Sequence, residues 1–191
     1  MTPSSPRPEL LDAFRVVLRS HGWGGATMER IATEAGVSRV TLHRQGVTKD
    51  RLFADLVVAA TERYRAAVWP ALTGEGPGAQ RLEQALTALC SVADEELELL
   101  VALRAQSDAV FHEPGEDEQL TRSVFTEPLE RILRDGTADG TVRPGDAVER
   151  ATVLFNLVGW TYVHLRTDHR WSAERARRVT LDLALRGVLT G

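Results

Sequence analysis

The stretch TMERIATEAGVSRVTLHRQGVTKDRLF, residues 27–53, decides the fold. Met28, Ile31, Ala32 and Ala35 recur at helical spacing, with Thr27 placed to cap their helix and Gly36 to end it. Ser38 caps a third, very short helix running to about Arg44, and Thr48 caps a long fourth one. The tight turn Ala35-Gly36-Val37-Ser38 joins the two short helices. That is the layout of a helix-turn-helix, whose second helix enters the DNA major groove. Ile31, Ala32, Val37 and Leu42 are spaced to form the small core between them, leaving Ser38, Arg39, Val40, Thr41, His43 and Arg44 facing outward. Ser, Thr and Arg suit phosphates and base edges, and the Val40 methyls suit a thymine methyl. The same layout also fits a plain helical hairpin with a solvated basic face.

Helical periodicity continues on both sides. Leu10, Leu11, Phe14, Val17 and Leu18 line a first helix that stops near Gly22. Leu52, Phe53, Leu56, Ala60, Tyr64 and Val68 line the fourth, which Pro70 is expected to halt. The segment ALTGEGPG (71–78) reads as a linker. Further helices are expected at about 79–90, 94–109, 117–134, 146–166 and 172–189, with Pro128 kinking or restarting the third of these. No stretch alternates with period two, and no hairpin pair such as Asn-Gly appears. The expected fold is all-α with about nine helices: an N-terminal three-helix helix-turn-helix domain over 1–50, then a helical bundle over 51–191.

Composition narrows the function. The chain has 191 residues, 43% of them hydrophobic and 26% charged, which fits a globular protein with a real core. Its longest apolar run, Ala151–Leu165, is short and is broken by Asn156, Thr161 and His164, so no membrane span is expected. MTPSSPRPEL lacks the apolar core of a secretory signal. Cys90 is the only cysteine, which favours a reducing compartment, and a cytoplasmic location is expected. The net charge is −4, yet residues 1–53 carry eight basic against five acidic side chains. A basic first quarter on an acidic body suggests one end that meets a polyanion.

Residues 27–53 resemble the DNA-binding domain of the tetracycline-repressor (TetR) family of bacterial transcriptional regulators. Thr27, Ile31, Ala32, Ala35, Gly36, Val37, Ser38, Thr41, Leu42, Lys49 and Leu52 match that family's pattern in type and spacing. RDGTADGTVRPGD (134–146), followed by a hydrophobic helix, is similar to the family's C-terminal region. The resemblance implies DNA contacts from Thr27, Ser38, Arg39, Val40, Thr41, His43, Arg44 and Lys49. Three positions depart from the pattern. Val40 stands where Gly is usual, and His43 stands where a phosphate-touching Tyr is usual. Gly46 stands where a Phe normally packs under the third and fourth helices. An anchor lost there costs about 3–5 kcal/mol unless Trp23 or Val47 refills the space. A helical ligand-binding or interaction protein with a degenerate reader is therefore the alternative.

The resemblance also implies a homodimer paired through the last two helices, a palindromic double-stranded DNA operator, and release by an unidentified small-molecule ligand. The residues permit this pairing. Val148, Val153, Leu154, Phe155, Leu157, Val158, Trp160, Tyr162, Val163 and Leu165 make the helix at about 146–166 apolar on nearly every side, so two faces need burial. The helix at about 172–189 presents Ala176, Val179, Leu183, Ala184 and Gly187. Central helices of a monomeric bundle would share these features. Candidate ligand-lining residues are Tyr64, Trp69, Leu86, Leu103, Gln106, Phe111, Phe125, Asn156 and Trp160. Asn156 is singled out because a buried amide in an apolar run needs a partner. No enzyme activity, cofactor or metal is expected. His112, His164, Asp168 and His169 lack metal-ligand spacing, and no serine nucleophile elbow or phosphate-cradling Gly loop occurs. Cys90 reads as a small core residue.

Overall fold

The computed structural model describes residues 8–110 and 122–190. Among these, nine α-helices account for nearly all regular structure: α1 (Pro8–Gly25), α2 (Met28–Glu34), α3 (Arg39–Arg44), α4 (Lys49–Thr73), α5 (Gly78–Glu95), α6 (Leu97–Val110), α7 (Glu127–Ala138), α8 (Ala147–Thr167) and α9 (Ala173–Val188). A π-helical turn, Arg122–Thr126, leads into α7. A single antiparallel bridge links Val142 to Leu189. The all-α expectation holds.

Two compact units divide the chain. The first runs through Ala60 and takes in Glu98–Asp108; the second holds Thr61–Leu97 and the chain from Ala109 onward. The boundary expected from sequence lies at 50/51. In the first unit, Leu10, Phe14, Val17, Leu18, Ile31, Ala32, Leu42, Leu52, Phe53 and Leu56 form one buried cluster, joined by Leu99 and Ala102 of α6. Leu103, read from sequence as a ligand-lining residue, packs against this cluster instead.

The second unit packs α5, α7, α8 and α9 side by side. Leu82, Leu86, Leu129, Ile132, Leu133, Val158 and Tyr162 are almost wholly buried there. The close approach of α5 to α7 depends on two glycines. A methyl on Gly78 would run into the Gly136 backbone, and one on Gly136 would lie 2.5 Å from Val142 Cγ2. Polar groups clamp the same junction. The Asp139 carboxylate accepts from Gly78 N at 2.7 Å and from Thr141 N and Oγ1 at 2.9 and 2.6 Å. Buried Arg81 donates to the Ala71 and Leu72 carbonyls and to Asp135. Those two carbonyls belong to the last turn of α4, which has no further helix to receive them, so a guanidinium supplies the donors.

Two sequence expectations about helix ends are corrected, and of the two alternatives for Pro128 the restart holds. Pro70 does not halt α4, which runs on to Thr73. A proline forfeits one backbone donor without forbidding another turn, and here Gly74 N closes that turn on the Pro70 carbonyl at 2.8 Å. The helix expected over 79–90 extends to Glu95, and the next starts at Leu97. Pro128 lies in the first turn of α7, where its missing N–H has no intrahelical partner to lose.

Candidate nucleic-acid interface

The short helices stand because each end is capped by its own sequence. Thr27 Oγ1 accepts from Arg30 N at 3.3 Å to open α2, and Ser38 Oγ accepts from Thr41 N at 3.0 Å to open α3. Thr48 Oγ1 accepts from Arg51 N at 3.2 Å at the start of α4. The other ends close with one motif used twice. After α2, Gly36 sits at φ +66°, its N–H bonding Thr33 O while Val37 N–H reaches Ala32 O at 2.9 Å. After α3, Gly46 sits at φ +67°, its N–H bonding His43 O while Val47 N–H reaches Leu42 O at 3.0 Å. Both are Schellman caps.

This finding changes the reading of Gly46. The position is exposed, and a Cβ there would meet nothing within 4 Å. It is the left-handed residue that ends α3, not the site of a vanished aromatic. The apolar anchor comes one residue later, since Val47 packs against the first unit's core as Val37 does after α2. The missed signal is a repeat ten residues apart, Gly36-Val37-Ser38 and Gly46-Val47-Thr48. In each copy, Gly ends one helix, Val plugs the core and the hydroxyl caps the next helix.

Leu42 is buried, and on its rigid seat α3 presents Arg39, Val40, His43 and Arg44 to solvent, Val40 at 77% exposure. Thr41 is half-buried, its hydroxyl 2.8 Å from the capping Ser38 hydroxyl. Exposed Thr27 flanks the group from the start of α2. Lys49 departs from the others. It is half-buried, and its ammonium donates to the Trp23 carbonyl at 2.6 Å while lying 3.7 Å from the centroid of the Trp23 ring. Desolvation holds its pKa below the usual lysine value, against a smaller opposing effect of Asp50. Trp23 in turn packs against Phe53 and Phe14, with centroids 4.7 and 6.3 Å away.

Residues 10–56 match the family model described as bacterial regulatory proteins of the tetR family. The helix-turn-helix unit is of the tetR family. Solved structures share the fold beyond that segment. A TetR-family transcriptional regulator, PfmR, from Thermus thermophilus is 21% identical, with a TM-score of 0.73, over 94% of this chain and 98% of that one. A TetR/AcrR-family regulator from Thermobifida fusca is 19% identical, with a TM-score of 0.70, over 94% of this chain and 96% of that one. The ketosteroid transcriptional regulator KstR2 of Mycobacterium tuberculosis is 16% identical, with a TM-score of 0.71, over 99% of this chain and all of that one. No curated protein matches the chain.

The candidate ligand residues of the second unit are only partly brought together by the structure. Tyr64 and Phe125 do meet: the rings lie 5.4 Å apart, Phe155 completes a trio, and the buried Tyr64 hydroxyl donates to the Phe125 carbonyl at 3.0 Å. Burial pushes that phenol's pKa above its ordinary value. Leu86 is buried core, and Trp160 is half-buried on α8. Trp69, by contrast, is 62% exposed on α4. Asn156 is exposed as well, its amide donating to the Thr152 carbonyl one turn back, so the expectation of a buried amide is corrected. The apolar run that hosts Asn156 has an uncovered face, and the amide lies on it. Phe111 and His112, with the side chain of Gln106, lie outside the described residues.

Cys90 is buried, and desolvation pushes its thiol up to about 12, so it packs as an uncharged core side chain. His164 Nδ1 pairs with Asp168 at 2.7 Å, and the His169 ring stands edge-on to His164. Among the described residues, no group of three or more His, Cys, Asp or Glu side chains is placed to hold a metal ion, and no helix is long and apolar enough to cross a membrane.

Proposed function

We propose that the protein is a homodimeric transcriptional regulator that reads a palindromic DNA operator through α3 and leaves it when a small ligand binds the second unit. The carrying observation is the solvent-facing set Arg39, Val40, His43 and Arg44, held on buried Leu42 between two capped ends. Two guanidiniums and an imidazole serve phosphates and guanine edges, and an apolar branch serves thymine. The alternative of a degenerate reader was motivated chiefly by Gly46, and the cap formed there speaks against it.

Pairing with a second copy is supported by an apolar stripe open to solvent on α8 and α9. Val153, Leu157 and Leu183 are 61%, 46% and 68% exposed. Single exposed apolar residues need no explanation, but bulky ones a turn apart on adjacent helices favour a partner surface. An isologous contact of this kind would set two readers about 34–36 Å apart for half-sites one helical turn apart. For the ligand, the trio Tyr64, Phe125 and Phe155 supports an apolar occupant of the second unit.

The test is fluorescence anisotropy of the purified protein on fragments of its own genome, at about 50 and 200 mM salt. Selective retention of a palindrome, weakening steeply with salt, is the expected result. Arg39→Ala should then relax sequence preference at one position of each half-site, by about 1–3 kcal/mol. Weak binding of every fragment, alike at both salts, would overturn the reading.

A further inference from the structure

We infer that Lys49 is a positioning residue that fastens the helix-turn-helix hairpin at its base, with its charge directed to Trp23 and not to a DNA phosphate; this rests on the DNA-reading proposal only for its binding arm. Trp23 and Lys49 bracket the hairpin in sequence, one just before α2 and the other the first residue of α4. The ammonium ties together two positions 26 apart in sequence with two contacts at once, the 2.6 Å hydrogen bond to the Trp23 carbonyl and the 3.7 Å approach to its ring. The Trp23 carbonyl stands in the last turn of α1, just after Gly22 breaks the helix at φ 62°, ψ 180°, where Ala26 N donates to it only at 3.3 Å. The ring is fixed from its other sides by Phe53 and Phe14.

An ammonium on a tryptophan face is attracted by the ring quadrupole, more strongly when partly desolvated. A hydrogen bond from a charged donor adds to it. Lys49 is half-buried, consistent with its lowered pKa. Turning it outward to a phosphate would break both contacts and release the end of α1. Arg39 and Arg44 on α3 are exposed and, among the described residues, carry no such tie to the core.

Two measurements on the full-length protein test this. The first needs no DNA. Amide hydrogen exchange over residues 28–44 should quicken about tenfold in Lys49→Ala, as expected for losing one charged hydrogen bond and one cation–π contact. Lys49→Arg, which keeps both contacts, should restore it, and Lys49→Gln, which keeps only a donor, should fall between. Unchanged exchange in Lys49→Ala would overturn the inference whether or not the protein binds DNA. The second follows binding to a mixed-sequence duplex of about 30 base pairs across a salt series. Lys49→Ala should weaken binding by one factor at every salt and keep the wild-type slope, whereas Arg44→Ala should flatten the slope by about one. A slope flattened by about one in Lys49→Ala would make it a phosphate ligand and overturn the inference. A wild type without salt-dependent binding would sink the DNA-reading proposal, leaving the exchange result to decide the role of Lys49.

Discussion

The hairpin of α2 and α3 and the junction of α5 with α7 both turn on glycines, but for opposite reasons. Gly36 and Gly46 are exposed, have open space beside them, and are needed for their positive φ. Gly78 and Gly136 have ordinary φ and are needed because another backbone lies where a side chain would be. The first kind is a local device, decided within six residues of sequence. The second is a tertiary one, decided between positions 58 residues apart. It follows that the reader's shape is specified piece by piece, while the body's shape is specified only when the whole bundle closes.

Substitution at Gly78 should have the largest effect. Gly78→Ala sets a methyl against backbone atoms of Gly136, which cannot swing aside as a side-chain end would. The two helices must part, and overpacking of this kind costs about 1–3 kcal/mol or more. Parting them also strains the Asp139 bond to Gly78 N and the hold of Arg81 on Asp135. Thermal unfolding should show a fall in Tm of several degrees, at about 2–4 °C per kcal/mol for a chain of this size. An unchanged Tm would mean that α5 and α7 do not approach as closely as described.

Gly46→Ala should cost less, about 1–2 kcal/mol, because the new methyl meets nothing and only the left-handed backbone resists it. Its effect should be local. Amide exchange should rise at the end of α3 and leave α7 unchanged, whereas Gly78→Ala should do the reverse. If Gly46→Ala were stabilising, the Schellman reading would fail and the missing-aromatic reading would return.

This contrast also marks what the sequence made legible. Thr27, Ser38 and Thr48 were readable as caps because capping needs only a hydroxyl and the next three residues. Gly36 was readable for the same local reason. Gly46 carries the same signal in Gly-Val-Thr, at a position where the resembling family's pattern holds Phe. The orientation of Lys49 was not legible: four rotatable bonds reach either a phosphate or Trp23, and only the folded end of α1 decides between them. The Gly78–Gly136 approach carries no local signal at all. The exposure of Trp69 and Asn156 was not legible, because an apolar run does not reveal which of its faces one chain covers.

A smaller effect should appear in acid. The Asp139 carboxyl is held below the usual aspartate range first by the Thr141 hydroxyl, then by backbone N–H groups of Gly78 and Thr141. A group with a depressed folded pKa adds stability above its unfolded value, about 3.9, and loses it as pH falls through the folded value. Asp139→Asn should therefore lower Tm near pH 7 and converge with wild type once the pH falls below the folded value. A constant gap between the two at every pH would show that packing, not charge, makes the contribution.

The smallest effect, and the one that sharpens the comparison most, is at Arg170. It follows α8 with φ +53°, the only non-glycine among the described residues on the left-handed side. It occupies the conformation that Gly36 and Gly46 occupy without strain. The left-handed region costs an ordinary residue about 1–2 kcal/mol. A glycine relieves that, but gives back about 0.5–1 kcal/mol through its freer unfolded chain. Arg170→Gly should thus stabilise the second unit by about 0.5 kcal/mol, a rise in Tm of about one or two degrees. Nearby bonds set the conformation and should survive the change: Trp171 N reaches the Leu165 carbonyl at 2.9 Å, and Trp171 stacks under Arg175 at 3.9 Å. A loss of stability would show that the Arg170 side chain holds a contact worth more than its backbone strain. Opposite signs for Gly46→Ala and Arg170→Gly, in one protein, would establish that the sign of φ governs both helix ends.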